Sequence, residues 1–343
     1  MISYTLCLRD TVRDGKGAPP RFSTGIGEAA YLAVPWSGKR ADLRRAPAPA
    51  PADAMADARA WMEAVVAYAK TGRPAEDPLD VVFLVHGYNT DAREAQLRQR
   101  LVELELRARG CDALVIGFDW PTGGTAAAYL YDRAMAAQAA LALVSKGIFP
   151  FALFSKEGCP VRVHVMAHSM GAFVVREAFR GADKARLAGI PNDWRIGQLV
   201  LLGADLSSRC FAAGNPDLGP TLDHAGRLTN YFSAYDEALA VSNVKNLDIS
   251  SRVGRVGMPV DHPTSIKAID VDCGPRYREV PERSFRVIDG LVSHSWYFED
   301  AVWFDDLATT LKGDWDRAVF PTRREAGQGL PDDFILQAAP PKA

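Results

Sequence analysis

The sequence predicts an α/β fold, a mainly parallel central sheet flanked by helices on both faces. Three observations carry this expectation. Short apolar runs at residues 81–85 and 113–118, with further strand-forming runs at 161–167 and 196–203, mark strands buried on both faces of a parallel sheet. Helical patterns separate them, as βαβ units with right-handed crossovers require. The run 161–167 also passes through a tight turn straight into a helix-forming segment.

Taken in order, residues 2–8 and 29–34 are rich in β-formers and read as strands. A charged stretch, 39–45, leads into A-P-A-P-A-P-A-D at 46–53. That alternation continues neither a helix nor a central strand and reads as an extended connector. Asp53 is positioned to cap a helix over 54–70. The strand 81–85 is followed by an amphipathic helix over 91–108, the strand 113–118 by an alanine-rich helix over 126–146, and the strand 161–167 by a helix over 170–180. Strands over 196–203 and 228–233 follow. Beyond about 245 the pattern weakens, leaving 284–287 as a last strand candidate and 304–311 as a helix. The tail from Pro321 is charged and ends in P-P-K-A, which predicts partial disorder.

Composition limits the function classes. The chain has 343 residues, 48% apolar and 24% charged, ordinary globular usage that argues against a mostly disordered chain. Forty Lys and Arg against 42 Asp and Glu give a net charge of −2, without the basic excess of a nucleic-acid binder. The five cysteines, Cys7, Cys111, Cys159, Cys210 and Cys273, are odd in number and show no C-x-x-C spacing. They read as reduced thiols of a bacterial-type cytosol. The N-terminus has no basic n-region, and the most apolar stretch, 126–154, is interrupted by Asp132, Arg133 and Lys146. The expectation is a cytoplasmic protein with no signal peptide and no integral membrane segment.

The strongest chemical signal is the turn Ala167-His168-Ser169-Met170-Gly171 between a buried strand and a helix. This is the setting of a nucleophile elbow, where a serine on a strained turn projects from the carboxyl end of a sheet. Small residues are needed two before and two after it, because strand and helix backbones approach closely there. Gly171 meets that need, and Ala167 stands where a first glycine is usual. The bland alternative for Ser169 is a helix N-cap. A second signal is V-V-F-L-V-H-G-Y-N-T at 81–90, a buried strand ending in His86-Gly87 before a polar loop. His86 reads as a structural residue holding that loop.

These two elements, in this order and about 80 residues apart, resemble the α/β-hydrolase superfamily. The resemblance extends to a little-characterised bacterial α/β-hydrolase family. The matching residues are Trp120-Pro121, the segment Y-F-S-A-Y-D-E-A-L-A-V-S at 231–242, Arg252-Val253-Gly254 and Ser293-His294-Ser295-Trp296-Tyr297. They cover roughly residues 80–312, while the first 75 residues carry no motif that can be assigned. The resemblance implies an α/β-hydrolase fold and an oxyanion hole made by the backbone N–H groups of Tyr88 and Met170.

In that fold the acid follows the serine and the histidine comes last. His294 is then the expected base. Its rivals His224 and His262 sit in polar, turn-like contexts, and a surface histidine at a helix start is the alternative for His294 itself. Two acids compete. Asp205 directly follows the strand 196–203, and Asp236 follows the strand 228–233. The resemblance and the strand count favour Asp236; loop hydrogen bonding and an N-cap are the bland roles of Asp205 and Asp236.

Trp120, Tyr129, Tyr131, Phe149 and Phe151 could line an acyl pocket or pack the core, and the loop 210–222 could cover the pocket. No metal-ligand spacing is present, and no cofactor is expected. The expected enzyme is a serine hydrolase, most simply a carboxylic ester hydrolase working through Ser169, Asp236 and His294 on a small-molecule acyl substrate. Alternatives are an acyltransferase or thioesterase with the same triad, and a non-catalytic interaction protein of the same fold. Residues 1–45 are expected to belong to the same domain, 46–53 to connect, 54–320 to form the catalytic domain, and 321–343 to form the tail. The sequence leaves the oligomeric state open.

Overall fold

The computed structural model describes residues 1–74, 77–123, 129–156, 161–185, 194–245, 250–260, 267–280, 288, 290–313, 320–327 and 333–340. The described strands are β1 (Ile2–Val12), β2 (Arg21–Pro35), β3 (Ala54–Met55), β4 (Leu79–Val85), β5 (Leu114–Asp119), β6 (Val161–His168), β7 (Ile196–Leu202), β8 (Ala225–Phe232), β9 (Ala268–Asp272), β10 (Arg323–Glu325) and β11 (Asp333–Leu336). They form one sheet in the order β10-β11-β9-β8-β7-β6-β4-β5-β1-β2-β3. From β11 to β1 every pairing is parallel; β1–β2, β2–β3 and β10–β11 are antiparallel.

The strands alternate their side chains between two apolar layers, as a pleated strand must. Val81, Phe83 and Val85 of β4 face a layer with Trp61, Phe151, Phe179 and the buried face of the helix Tyr129–Ala142. Val82 and Leu84 face the other, with Leu101, Val102 and Leu106 of the helix Ala92–Ala108 and Trp303, Leu307 and Leu311 of the helix Ala301–Lys312. Helices therefore cover both faces, and the carboxyl ends of β4 to β8 lie along one edge.

Several boundaries differ from the sequence expectation. The helix after the Pro/Ala connector is Ala58–Ala69, capped by Asp57, whose side chain accepts from Arg59 N at 2.9 Å. Asp53 instead accepts from Ala50 N at 2.8 Å and closes a one-turn 3₁₀ segment. Asp57 wins because its carboxyl stands one residue before a run free of proline. The alanine-rich helix is interrupted by a π segment, Leu143–Ile148. There Gly147 lies against the sheet, where a Cβ would come within 3.1 Å of the Phe83 ring.

The run Tyr131–Leu153 is long and apolar enough to cross a membrane, by length and composition alone. Here one side of it packs on the sheet and on the helix Gly171–Ala185 through Ala136, Ala139, Ala140 and Val144. Strand β9 was not anticipated, since A-I-D-V-D carries two acids in five residues. The tail, expected to be partly disordered, supplies β10 and β11. The strand candidate 284–287 lies outside the described residues.

Candidate active site

Ser169 occupies the turn between β6 and the helix Gly171–Ala185. Its φ is +55°, a left-handed value rare for a residue with a side chain, and it is 8% exposed. The turn is fixed through its backbone: Ser169 N donates to Leu202 O at 3.0 Å, and Ser169 O accepts from Asp205 N at 3.0 Å and Ala172 N at 3.1 Å. Such strain persists where the surroundings over-determine it. Gly171 faces the Val85 carbonyl so closely that a Cβ would clash with it, and a Cβ on Gly87 would stand 2.7 Å from Ser169 Cβ. Both glycines are needed for close approach between the end of β4 and the elbow. Met170 N makes no backbone hydrogen bond among the described residues, as the first N–H groups of a helix lack intrahelical partners.

His294 Nδ1 lies 2.6 Å from Asp236 Oδ2. Asp236 is fully buried, and its other oxygen, Oδ1, accepts from Leu239 N at 3.0 Å, capping the helix Glu237–Lys245. Gly203, at the end of β7 with φ +51°, leaves room for both: a Cβ there would come within 3.2 Å of Asp236 and 3.4 Å of the His294 ring. Asp205 faces elsewhere, with Oδ1 3.2 Å from Arg252 Nε. His224 stacks on Trp194 with ring centroids 3.9 Å apart and shares a 2.9 Å hydrogen bond with Trp194 O, among core aromatics. His262 lies outside the described residues.

Ser169 and Asp236 follow β6 and β8, and His294, from the short helix Val292–Ser295, meets Asp236 over Gly203 at the end of β7. Among the described residues no hydrogen bond joins Ser169 Oγ to His294. Hydrogen bonds of this kind are commonly long in a ligand-free site and tighten around a reacting substrate.

Two further side chains bear on His294. His168 is buried, its ring centroid is 4.6 Å from that of His294, and its Nε2 lies 3.0 Å from His294 O. A carbonyl oxygen only accepts, so Nε2 carries the proton and Nδ1 is left to accept from Arg98 Nη1, 3.4 Å away. Burial, then the nearby His294 and Arg98, hold the His168 imidazole well below its usual pKa. Arg98 is itself paired with Glu94 at 2.9 Å. The elbow pattern asks for no particular residue at 168, so no local signal announced this contact.

A cleft of about 660 Å³ opens beside His294, Tyr88 and His168, with Arg44, Arg93 and Glu94 in its walls. Of the aromatic residues considered for an acyl pocket, those with described side chains do not line this cleft. Trp120 is buried and stacked on His86, Phe151 packs between Trp61 and Phe83, and Tyr131 is exposed. Phe149 is half-buried against the core, and the Tyr129 side chain lies outside the described set. The loop 210–222 packs on the helix Gly171–Ala185, where Arg176 Nη1 reaches Cys210 Sγ at 3.3 Å, and does not line this cleft. Among the described residues no cluster of His, Cys, Asp and Glu could hold a metal ion.

Solved structures resemble the chain at low identity. An esterase from Pyrobaculum calidifontis is 15% identical over 70% of this chain and 78% of its own, with a TM-score of 0.33. Esterases from Rhizomucor miehei give 8% identity over 90% and 85%, with a TM-score of 0.38. The RedJ thioesterase of the Streptomyces coelicolor prodiginine pathway gives 14% over 70% and 94%, with a TM-score of 0.29. No curated protein matches the chain. A family described as alpha/beta hydrolase of unknown function (DUF900) matches residues 70–272, more than half of the chain. With a mainly parallel sheet covered by helices on both faces, this protein belongs to that alpha/beta-hydrolase family.

Proposed function

We propose that the protein is a serine hydrolase acting on carboxylic esters through Ser169, His294 and Asp236. The observation that carries this reading is the 2.6 Å contact between His294 Nδ1 and Asp236 Oδ2 beside a strained elbow serine. A carboxylate accepting at Nδ1 keeps the proton there and leaves the Nε2 lone pair for Ser169. Ser169 Oγ attacks the ester carbonyl carbon while His294 Nε2 takes its proton. The carbonyl oxygen becomes an oxyanion, held by the N–H groups of Tyr88 and Met170. Collapse breaks the bond to the alkoxy group, which leaves with the proton from His294, and an acyl-Ser169 remains. Water then attacks it by the same steps in reverse order and releases the carboxylic acid.

Ser169 itself does not line the cleft, which reaches it beside Tyr88, His168 and His294, and the cleft's walls support a short, polar ester in place of a long-chain one. Arg44, Arg93, Glu94 and Arg98 line it, with Leu97 and Leu291 as its larger aliphatic groups. A long hydrocarbon chain there would desolvate charged groups without offering them partners.

The test is turnover of p-nitrophenyl acetate, butyrate and dodecanoate by wild type and Ser169→Ala. The expected result is turnover that falls with chain length, and a loss of about a thousandfold or more on removing the nucleophile. A fluorophosphonate probe should label wild type at Ser169 and leave Ser169→Ala unlabelled. Equal turnover by the two proteins would overturn the assignment.

A further inference from the structure

The first 75 residues carry no motif, yet β1 sends one charged side chain into the centre of the molecule. Arg9 is 5% exposed. Its Nε donates to both oxygens of Asp119 at 2.8 and 2.9 Å, and its Nη2 donates to the Thr90 carbonyl at 2.7 Å. Asp119, at the end of β5, also lies 3.0 Å from His86 Nε2, and His86 Nδ1 lies 2.9 Å from the Gly87 carbonyl. Burial alone would raise the Asp119 carboxyl; the Arg9 charge and the bonds from His86 and Arg9 outweigh it and hold Asp119 well below the usual carboxylate range.

Asp119 therefore fixes the Arg9 fork against the Thr90 carbonyl, while His86, whose Nε2 accepts from Trp120 N at 3.2 Å, holds the Gly87 carbonyl through Nδ1, and the loop 87–90 is gripped at its two ends. Thr122 Oγ1 adds a second bond to Thr90 O at 2.9 Å. Between the grips Asn89 has φ +53°, the left-handed turn conformation that asparagine adopts more readily than most residues. The peptide Gly87–Tyr88 is trans. In a trans peptide the carbonyl and the following N–H point in opposite directions. His86 draws the Gly87 carbonyl toward itself, so the Tyr88 N–H is turned away from His86.

We propose that Arg9, held by Asp119 against the Thr90 carbonyl, is a positioning residue for the Tyr88 N–H as an oxyanion donor. This makes the N-terminal strand part of the machinery that sets the rate. The inference rests on the serine-hydrolase reading, which gives Tyr88 N–H its task. Arg9 touches no substrate. Its effect belongs on kcat and not on KM, because an oxyanion donor engages charge that develops only in the transition state. A misplacement of about 1 Å can cost on the order of a hundredfold in rate.

The experiment uses the full chain with Arg9→Met and Arg9→Lys. Lys keeps a charge opposite Asp119 but cannot hold Asp119 and Thr90 O with one planar fork. It carries the test if Arg9→Met does not fold. Sites are counted by fluorophosphonate labelling, and turnover of p-nitrophenyl acetate is expressed per labelled site. The expected result for Arg9→Lys is a 10- to 100-fold fall in kcat with KM within about threefold, and a smaller fall than for Arg9→Met. A trifluoromethyl ketone, whose serine adduct carries the oxyanion, should lose affinity by the same factor as kcat/KM.

Hydrogen exchange gives a readout that does not depend on turnover. A peptide spanning 86–92 should exchange about tenfold faster in Arg9→Lys, with the strand 161–168 unchanged. A kcat per site within twofold of wild type would overturn the proposal, as would unchanged exchange at 86–92. Wild-type turnover that survives Ser169→Ala would instead remove the underlying hydrolase reading, and the role of Arg9 in turnover with it.

Discussion

Asp236 divides its two carboxylate oxygens between two contacts. One oxygen caps the helix Glu237–Lys245 through Leu239 N, and the other contacts His294. Asp236→Asn separates the two roles. Its amide oxygen can still accept from Leu239 N, while its NH₂ faces His294 Nδ1 and favours the tautomer with the proton on Nε2, which cannot accept from Ser169. We expect kcat to fall by about a thousandfold or more with a small change in thermal midpoint, checked by ester turnover and thermal unfolding. Gly171 tests the elbow. A Cβ there would strike the Val85 carbonyl, a backbone atom that cannot swing aside. Gly171→Ala should cost about 1–3 kcal/mol of stability in urea unfolding and lower turnover by shifting Ser169. These contacts follow from a local pattern, strand, tight turn and helix, which is why Ser169 and Gly171 were legible in the sequence. Asp205 and Asp236 both follow apolar strands, so their local patterns do not separate them, and only the resemblance and the strand count favoured Asp236.

Among the elements, β10 and β11 have a definite anchor. Arg323, at the start of β10, meets Asp306 of the helix Ala301–Lys312 through Nε at 2.8 Å and Nη2 at 2.5 Å. Tyr231 Oη and Thr322 Oγ1 donate to the same carboxylate at 2.5 and 2.7 Å. The pair is buried on both sides. Removing one partner leaves a buried charge uncompensated, which typically costs about 3–5 kcal/mol. Arg323→Met is expected to lose that much in urea unfolding, and the double variant Arg323→Met/Asp306→Leu less. The charge of the tail argued for disorder in the sequence. The partner that neutralises this arginine comes from a helix 17 positions earlier, a contact no local pattern announces. Strand β9 was hidden for the same reason, since Asp270 is tolerated inside the sheet by bonds from Asn230 Nδ2 at 2.7 Å and Met258 N at 2.5 Å.

For the molecule as a whole, Asp270 writes itself into the pH dependence of stability. Burial, which outweighs the bonds from Asn230 and Met258, raises its pKa from 3.8 to about 7. Below about pH 4 both folded and unfolded chains hold this proton. Between there and pH 7 the unfolded chain releases it and the folded chain keeps it, so this stabilising contribution falls as pH rises and is gone above 7. His168 acts in the opposite sense, because its lowered pKa costs stability as pH drops below about 6.5. A difference measurement isolates Asp270: the thermal midpoint of Asp270→Asn minus that of wild type should increase from pH 5 to pH 8. A flat difference would show that Asp270 does not titrate in that window. The sequence by itself determined the fold class and the strand–turn–helix setting of Ser169, because each is written in a contiguous run of residues whose periodicity or turn chemistry is local. Tertiary structure decided the rest: the carboxylate that meets His294, the strands made by acid-bearing segments, and the route from Arg9 to the loop 87–90. Those depend on which buried charge finds which partner, and that is set only when strands distant in sequence lie side by side.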